Sequence, residues 1–570
     1  MPLIFDVHDK MQLSLEVSPE LKWRTACIPA KTYVKRLKKW LVPIIPNIKV
    51  LRENFHRQDF TPDAIRHVKE LLEKVETVEP FPGSFVGDPM AHQREAMDKA
   101  WNRECFFFAH AMGAGKTFTI CNLTRYLYEQ QVIDGLLVVC PATIRHDTWM
   151  PQLELWMKGT PYRAVVLEPG KYKNAEALID AEAGLLKVMI ASIQSMSNQG
   201  TAYKLSRQFL KAHRCAMAVD ESSRIKNHQA ARTGNIIDLG GLAKRRWCAT
   251  GTKITQGIHD LWSQFAFLDW TIIGHGSYYT FKNRYVAMGG FEGKQIVGYN
   301  NVPELLHNIG PFIHVVRKED ANDLPPKTYL TRTIEPTAEL KKLYESLRLE
   351  LEAEYDDGEL SVKNELEKNG RLHQLAGGNF PYKESIIKVP VRNPLTGETE
   401  IVEKVKWGTK PILPNLKIAE LMEVLEDTDE KAIIWCCYVP EINAVVDAIL
   451  KKYGTQSVVA YYGAVNTDGR AEAMSRFVGD PDCRFFVTNQ QTGSVGLNLV
   501  SATMAIYYSN SFSLEDRMQS EDRCHRTGQT NAVTYVDLVL NLPVERKVMA
   551  ALQAKKSMAQ YVADELAGKQ

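Results

Sequence analysis

Two groups of short apolar runs, each run followed by an amphipathic stretch, constrain the fold of this 570-residue chain most strongly. Runs of about four to eight apolar residues in this arrangement are typical of buried parallel strands joined by crossover helices. The runs are ECFFFAH (104–110), GLLVVCP (135–141), KVMIAS (187–192), AMAVDE (216–221), RRWCATGT (245–252), KAIIWCCY (431–438), QSVVAYYG (456–463), CRFFVTN (483–489), TMAIYYSN (503–510) and AVTYVDLVL (532–540). They predict an α/β protein with two lobes, each built on a parallel sheet.

The segments outside these two groups differ from them in composition and in hydrophobic periodicity. Residues 271–300 are rich in Gly, Tyr and Asn, residues 337–370 are charged with a helical pattern, and residues 376–412 carry few periodic signals. We therefore predict helical insertions between the lobes and a small accessory domain at the N-terminus. The predicted domains are the accessory segment (1–80), the first lobe (81–270), the linker with its helical insertion (271–410), the second lobe (411–545) and a C-terminal helix (546–570).

The charge balance confines any polyanion-binding surface to a local patch. Lys and Arg number 70 against 68 Asp and Glu, so the net charge is only +2. Between residues 31 and 57, however, eight basic residues stand against one acid, with three aromatic residues interleaved. Such a patch suits a nucleic-acid backbone and its bases, and Lys38 and Lys39 are the candidate contacts. The alternative is a solvated basic face over a small core.

The cysteines and the lengths of the apolar runs indicate the compartment. None of the ten Cys belongs to a C-x-x-C pair, which argues for reduced thiols and against a disulfide scaffold or a structural zinc site. The first residues, MPLIFDVHDK, lack the pattern of a secretory signal, and no apolar run approaches the ~20 residues that cross a bilayer. We expect a cytoplasmic protein that does not associate with a membrane.

The most specific local motif is the loop sequence AHAMGAGKTF, which follows an apolar run and precedes an amphipathic stretch. Gly113 and Gly115 permit backbone N–H groups to point inward at a phosphate, and Lys116 can reach the β and γ phosphates. The hydroxyl of Thr117 can hold Mg²⁺. The loop therefore predicts a nucleotide site.

A second motif supplies two adjacent carboxylates after another strand-like run. Asp220 is suited to bind Mg²⁺, and Glu221 is suited to orient and deprotonate an attacking water. Alone, the pair would be read as a turn. Because the carboxyl ends of strands in a parallel sheet meet at one edge, we expect the pair to lie near Lys116 and to serve phosphoryl transfer.

Two arginines near the end of the second group are candidates for stabilising charge on the transferred phosphoryl group. Arg523 and Arg526 are three residues apart, which on a helix places both side chains on one face. Arginines supplied across a cleft accelerate phosphoryl transfer by about a thousand-fold or more. The alternative is an ordinary surface helix with salt bridges.

In this order the motifs resemble those of the Swi/Snf family of superfamily-two helicase-like ATPases, and the resemblance covers residues 88–550. The matching segments are HQREAM (92–97), AHAMGAGKT (109–117), VVCPATIRHDTW (138–149), DESSRIKN (220–227), ATGTKITQG (249–257), RKEDANDLPPKTY (317–329), KAIIWCCY (431–438), TGSVGLNLVSA (492–502) and QSEDRCHRTGQ (519–529).

The resemblance implies two RecA-like lobes and a DNA-dependent ATPase that uses ATP and Mg²⁺ to move on double-stranded DNA. Catalysis is assigned to Lys116, Glu221, Arg523 and Arg526, and metal binding to Thr117 and Asp220. The implied ATP-binding residues are Gln93, Met112, Gly113, Ala114, Gly115, Lys116, Thr117, Gly496, Arg523 and Arg526. The implied contacts to the DNA backbone are Thr143, Arg145, Thr492 and Gly493.

Three motifs depart from the family pattern. His110 and Ala111 stand where the family often has an acidic pair, and Lys253 stands where Pro is usual. Two serines follow Glu221 where the family usually has Ala-His. The missing histidine puts the coupling between ATP and DNA in doubt, whereas both carboxylates are retained.

The N-terminal segment 14–55 is similar to the HARP domain of annealing helicases. The matching features are the Ile28-Pro29 turn, the basic stretch, Trp40 and the Val42-Pro43 end. This similarity implies forked or branched DNA as substrate, and DNA repair, replication or recombination as the setting. We expect a monomeric motor in a bacterial or phage-infected cytoplasm, or in the nucleus of a eukaryote.

Two other functions are compatible with parts of the pattern. A strand-separating helicase acting on DNA or RNA would share most of the motifs. A DNA-binding scaffold with an inactive ATP site is disfavoured, because the loop, the carboxylates and the arginines are all present.

Overall fold

The computed structural model describes residues 3–251, 257–289, 295–317, 324–355, 362–392, 399–490, 497–526 and 528–566. The chain divides into two compact units. The first comprises residues 1–323 and 557–570, and the second comprises residues 324–556.

The first unit begins with a four-stranded antiparallel sheet. Its strands are β1 (Ile4–Val7), β2 (Gln12–Glu16), β3 (Thr32–Val34) and β4 (Lys39–Pro43), in the order β1-β2-β4-β3. Two helices follow, α1 (Ile44–Asn54) and α2 (Pro62–Glu76). Phe5, Leu13 and Val42 are fully buried in a small core of their own. This core forms because β2 buries four of its five residues and β4 buries its last two.

The main sheet of the first unit has seven parallel strands. The next strands of the chain are β5 (Cys105–His110), β6 (Gly135–Cys140), β7 (Tyr162–Val166), β8 (Leu186–Ser192), β9 (Cys215–Asp220), β10 (Arg245–Ala249), the hairpin strands β11 (Val286–Gly289) and β12 (Gln295–Tyr299), and β13 (Ile313–Val316). The order in the main sheet is β13-β5-β10-β9-β6-β8-β7, and every pair in it is parallel.

Helices connect these strands and bury both faces of the sheet. They are α3 (Ala91–Ala100), α4 (Lys116–Glu129), α5 (Met150–Trp156), α6 (Tyr172–Ile179), α7 (Thr201–Ala212), α8 (Ala231–Gly240), α9 (Leu261–Ile273), α10 (Tyr278–Tyr285) and α11 (Val302–Ile309). Phe107 packs into the core on one face of the sheet, whereas Phe106 and Phe108 pack into the core on the other. Because both faces are covered, β5 is a continuous apolar run rather than an alternating one.

The second unit repeats this architecture with six parallel strands. Its strands are β14 (Lys327–Ile334), the hairpin strands β15 (Asn379–Arg392) and β16 (Thr399–Pro411), β17 (Ala432–Cys436), β18 (Val458–Tyr461), β19 (Phe485–Asn489), β20 (Met504–Tyr507) and β21 (Val533–Leu540). The sheet order is β14-β21-β20-β17-β19-β18. The helices are α12 (Ala338–Tyr355), α13 (Val362–Ala376), α14 (Leu416–Glu426), α15 (Val439–Tyr453), α16 (Thr467–Gly479), α17 (Leu514–Cys524) and α18 (Pro543–Leu566), the last of which ends in the first unit.

The predicted fold class, two α/β lobes with parallel sheets, is confirmed. The region 271–410 differs from its prediction as a linker, because it contributes strand β13 to the first sheet and strand β14 to the second. The short strand β13 has its apolar residues interrupted by His314, and β14 is an edge strand with mostly exposed side chains. Neither therefore carries the kind of apolar run by which ten other strands were identified. The runs also missed β7, a partly buried edge strand of the first sheet.

Within the described residues, none of the helices combines the length and the apolar character that crossing a bilayer requires. All ten cysteines are free thiols, and eight of them are buried.

A buried histidine in the first unit links stability to pH. His275 lies edge-on to the rings of Phe281 and Tyr285, at centroid distances of 6.1 and 5.5 Å. Burial, assisted by the neighbouring Arg284, lowers the pKa of His275 to about 4. The folded protein therefore keeps the imidazole neutral where the unfolded chain binds a proton.

We predict that His275→Gln makes the stability of the protein less sensitive to acid. Below pH ~6.5 only the unfolded chain takes up the proton, so this histidine should lower the free energy of unfolding by roughly 2 kcal/mol at pH 5. Denaturant titrations from pH 7 to pH 4.5 would measure the slope. The exposed His307, changed to Gln, is the matched control, and an unchanged slope in the His275 variant would contradict the argument.

Candidate nucleotide site and the motifs of the second unit

Three adjacent strands bring the motifs of the first unit to one edge of the sheet. Strand β10 lies between β5 and β9, and both pairings are parallel. The phosphate loop follows β5, Thr250 follows β10, and the Asp220–Glu221 pair lies at the end of β9. Because parallel strands end at the same edge, the loop and the carboxylates are brought together there, as the sequence predicted.

The phosphate loop adopts a backbone conformation that its glycines make possible. Gly113 and Gly115 have φ angles of 84° and 76°, in the left-handed region. A Cβ atom at Gly115 would also overlap the side-chain amide of Gln93. Helix α4 begins at Lys116, so its unpaired N–H groups and the positive end of its dipole face the loop, where an anion is stabilised.

Lys116 and Thr117 occupy the first two positions of α4. The ammonium of Lys116 donates to the backbone carbonyls of His110, at 3.0 Å, and Ala111, at 3.4 Å. It is therefore held within the loop. Thr117 is partly exposed at the same helix end, and Met112 is partly exposed on the loop itself.

Gln93 supports the loop from helix α3. Its Nε2 donates to the carbonyl of Ala114 at 3.2 Å, and its Oε1 accepts from the backbone N–H of Met90 at 3.0 Å. The side chain is 4% exposed, and Ala114 is fully buried. The structure thus brings Gln93 to the phosphate loop.

Asp220 is buried at the end of β9, where hydrogen bonds must stabilise its carboxylate. Its Oδ2 accepts from the indole N–H of Trp149 at 3.0 Å, and its Oδ1 accepts from the backbone N–H of Glu221 at 3.0 Å. Burial raises the pKa of the Asp220 carboxyl, and the Lys116 ammonium opposes that rise. A carboxylate in this setting is suited to a cation.

Sequence reasoning missed the role of Trp149. The residue lies within the segment VVCPATIRHDTW, yet nothing local to it indicates a partner 71 residues away. Trp149 is fully buried at the end of a π-helical turn, Arg145–Trp149, that leads into α5. A buried indole normally has a hydrogen-bond acceptor, and that general rule was the one available signal.

Glu221 has a strained backbone and a specific partner. Its φ of 53° lies in the left-handed region, which costs about 1–3 kcal/mol for a residue other than glycine. Its Oε2 accepts from the hydroxyl of Thr250 at 3.4 Å. Strained residues that the surroundings hold in place often belong to functional sites. Thr250 lies within the motif ATGTKITQG, but the sequence by itself assigned it no role.

The two arginines of the second unit converge on one backbone carbonyl. Arg523 is 3% exposed near the end of α17, whereas Arg526 lies beyond the helix end at Cys524. The expectation that both share a helix face is therefore wrong. Their Nη1 atoms nevertheless donate to the same carbonyl oxygen, that of Leu497, at 3.2 and 3.3 Å. The predicted site residues Thr492, Gly493 and Gly496 lie outside the described residues, as does Lys253.

The predicted DNA contacts of the first unit differ in their surroundings. Thr143 is exposed, but the guanidinium of Arg145 donates to the carbonyls of Ala142 and Leu167 at 3.2 and 2.7 Å. Lys38 is exposed in the turn between β3 and β4, whereas Lys39 pairs with Glu16 at 2.6 Å. Arg145 and Lys39 thus have structural partners, and contact with DNA stays a prediction for all four.

Comparison with known proteins agrees with this arrangement of motifs. Residues 91–377, about half of the chain, match the model of the SNF2-related domain. The chain belongs to the SNF2-related family. Residues 416–528 match the helicase conserved C-terminal domain. The resemblance to Swi/Snf ATPases is therefore confirmed.

The chain is similar to several curated proteins and solved structures, each at low sequence identity. The chain is 26% identical over 472 residues to "Probable ATP-dependent DNA helicase CHR12" of Arabidopsis thaliana, covering 78% of this chain and 39% of that protein. It is 23% identical over 529 residues to "ATP-dependent helicase FUN30" of Saccharomyces cerevisiae, covering 81% and 45%. The chain thus spans less than half the length of these relatives. A solved "Sulfolobus solfataricus SWI2/SNF2 ATPase core in complex with dsDNA" is 21% identical with a TM-score of 0.36, covering 86% of this chain and 95% of that one.

We predict that Trp149→Phe lowers ATP turnover about ten-fold while the fold is retained. The ring still fills its buried site, but Asp220 loses an N–H donor, and a hydrogen bond to a charged group contributes about 1.5–3 kcal/mol. Phosphate release at saturating ATP would measure the loss.

Trp156→Phe is the matched control for this variant. The indole of Trp156, in the same helical segment, donates to the side chain of Gln152 at 2.7 Å and not to Asp220. Equal turnover in the Trp149 and Trp156 variants would contradict the role given to the Trp149 indole.

Proposed function

We propose that this chain is an ATP-dependent DNA translocase of the Swi/Snf type, which hydrolyses ATP to move on double-stranded DNA. The phosphate loop and the Asp220–Glu221 pair at one edge of a parallel sheet carry this proposal. Membership of the SNF2-related family and the names of its relatives, which are ATP-dependent helicases, support it.

The side chains at the sheet edge fit ATP with Mg²⁺. Lys116 and the N-terminal N–H groups of α4 would hold the phosphates, and the hydroxyl of Thr117 and the carboxylate of Asp220 are the hard oxygen ligands that Mg²⁺ prefers. When bound, Mg²⁺ would neutralise charge on the phosphates. Trp149 keeps the Asp220 carboxylate oriented toward that task.

Glu221 is the general base in this proposal. The hydroxyl of Thr250 holds its carboxylate, and its strained backbone is fixed at the end of β9. From there Glu221 would orient a water and accept its proton as the water attacks the γ phosphate. Arg523 and Arg526, whose guanidiniums converge on one carbonyl, would stabilise charge on the transferred group.

We further propose that the substrate is branched or forked DNA, bound in part by the accessory segment. The turn between β3 and β4 exposes Lys35, Arg36 and Lys38 next to Tyr33. Trp23 is 73% exposed in the same domain. Cations beside exposed rings suit phosphates and unpaired bases. A role in replication, recombination or repair, as a monomer in the cytoplasm or nucleus, rests on the resemblance alone.

We expect phosphate release to be strongly stimulated by DNA, and Lys116→Ala and Glu221→Gln to lose turnover. Removal of a general base costs about 10²–10⁴-fold in rate. Release should be measured with single strands, duplexes, forks and four-way junctions. Glu182→Gln, an exposed change in the same lobe, is the control.

Two outcomes would count against this proposal. Turnover by Glu221→Gln at the parent rate would reject Glu221 as the base. Strong unwinding of plain tailed duplexes, without any preference for branches, would instead favour a strand-separating helicase.

The accessory segment yields a separate prediction. Lys35→Glu/Lys38→Glu should weaken DNA binding and make it less dependent on salt, since each lost phosphate contact lowers the slope of log K against log salt by about one. Lys39 is left unchanged because it pairs with Glu16. Fluorescence anisotropy between 50 and 200 mM salt, roughly the range over which such contacts are screened, would measure the slope. With the exposed Lys173→Glu as control, an unaltered slope would make the patch an ordinary solvated face.

A further inference from the structure

Three polar side chains form a continuous row beside the phosphate loop. His110, at the end of β5, is fully buried, and its Nε2 lies 3.0 Å from Nδ1 of His314 in β13. His314 is 5% exposed, and its Nε2 lies 3.5 Å from Oε2 of Glu95 on α3. The row therefore joins the strand that precedes the loop, the edge strand of the sheet and the helix that carries Gln93.

The same three elements hold the loop through its backbone. The N–H of Ala111 donates to the carbonyl of Val316 in β13 at 2.9 Å. From α3, the His92 ring lies 2.9 Å from the carbonyl oxygen of Ala114, to which Gln93 also donates. The start of the loop is thus tied to β13 and its middle to α3, and His314 connects those two supports.

The chemistry of the row assigns its protons. The Glu95 carboxylate can only accept, so Nε2 of His314 carries the hydrogen. Burial lowers the pKa of His314 to about 4, with the Lys99 ammonium contributing, so the ring is neutral near pH 7 and its Nδ1 is an acceptor. His110 therefore donates from Nε2. The hydrogen bonds of the row therefore run in one direction: His110 donates to His314, and His314 donates to Glu95.

We propose that His110, His314 and Glu95 are positioning residues that hold the phosphate loop in its nucleotide-receptive geometry and tie it to the helix carrying Gln93. A loop that is ordered before the nucleotide arrives loses less conformational entropy on binding. The row therefore acts on the affinity for the polyphosphate of ATP and not on the proton transfer at Glu221. This inference rests on the proposed function only in taking ATP as the nucleotide.

The decisive experiment separates KM from kcat for ATP in the full chain with duplex DNA present. His314→Leu removes both hydrogen bonds of the row and should raise KM about ten-fold with kcat within about two-fold of the parent value. His314→Asn keeps a polar group near the position of Nδ1, facing His110, and should recover part of the affinity. Glu95→Gln, a change at a half-exposed side chain, should give an intermediate KM even if the leucine variant folds poorly.

His307→Leu, at an exposed histidine of α11, is the matched control and should leave KM unchanged. Parent-like KM in all three row variants would overturn the inference. The inference would also be overturned if KM rose and kcat fell together in proportion to a lowered melting temperature, with no recovery in His314→Asn. If the parent chain itself fails to hydrolyse ATP with DNA, the proposed function fails instead, and direct binding of ATP to the parent and to His314→Leu still tests the row.

Discussion

The parallel pairing of β5, β10 and β9 is the constraint on which the rest of the first unit depends. Because β10 lies between the other two strands, the phosphate loop, Thr250 and the two carboxylates all leave the sheet at one edge. A change of strand order would separate groups that lie more than a hundred residues apart in the chain. The hydrophobic burial of both faces of the sheet therefore stabilises the fold and, with it, the relative positions of the loop, Thr250 and the carboxylates.

Around this edge the protein satisfies buried polar groups with specific partners rather than leaving them to solvent. Trp149 supports Asp220, Thr250 supports Glu221, and Gln93 supports the loop. In a low-dielectric setting each unpaired group would be costly, so these partners hold the site in one arrangement before any ligand binds. The second unit follows the same rule, since the buried Arg523 has a carbonyl acceptor.

Sequence patterns predicted the parts of the structure that depend on local periodicity. All ten apolar runs became parallel strands, and the glycines of the loop have the positive φ angles that their motif requires. Strands β7, β13 and β14 of the two parallel sheets were not identified, because the apolar residues of β13 are interrupted by His314 and the other two are edge strands with partly or mostly exposed side chains. The helical spacing of Arg523 and Arg526 failed for a similar reason, since α17 ends between them and only the fold brings both to Leu497.

The sequence by itself determined the chemical inventory of this protein: a phosphate loop, two carboxylates, two arginines, their order along the chain, and an α/β framework to carry them. These follow from residue types and from periodicities that span a few residues. The tertiary structure alone decided which distant side chains support that inventory, such as Trp149 for Asp220 and His314 for His110. The physical reason is that such hydrogen bonds join residues 71 and 204 positions apart, and their geometry exists only once the sheet has formed.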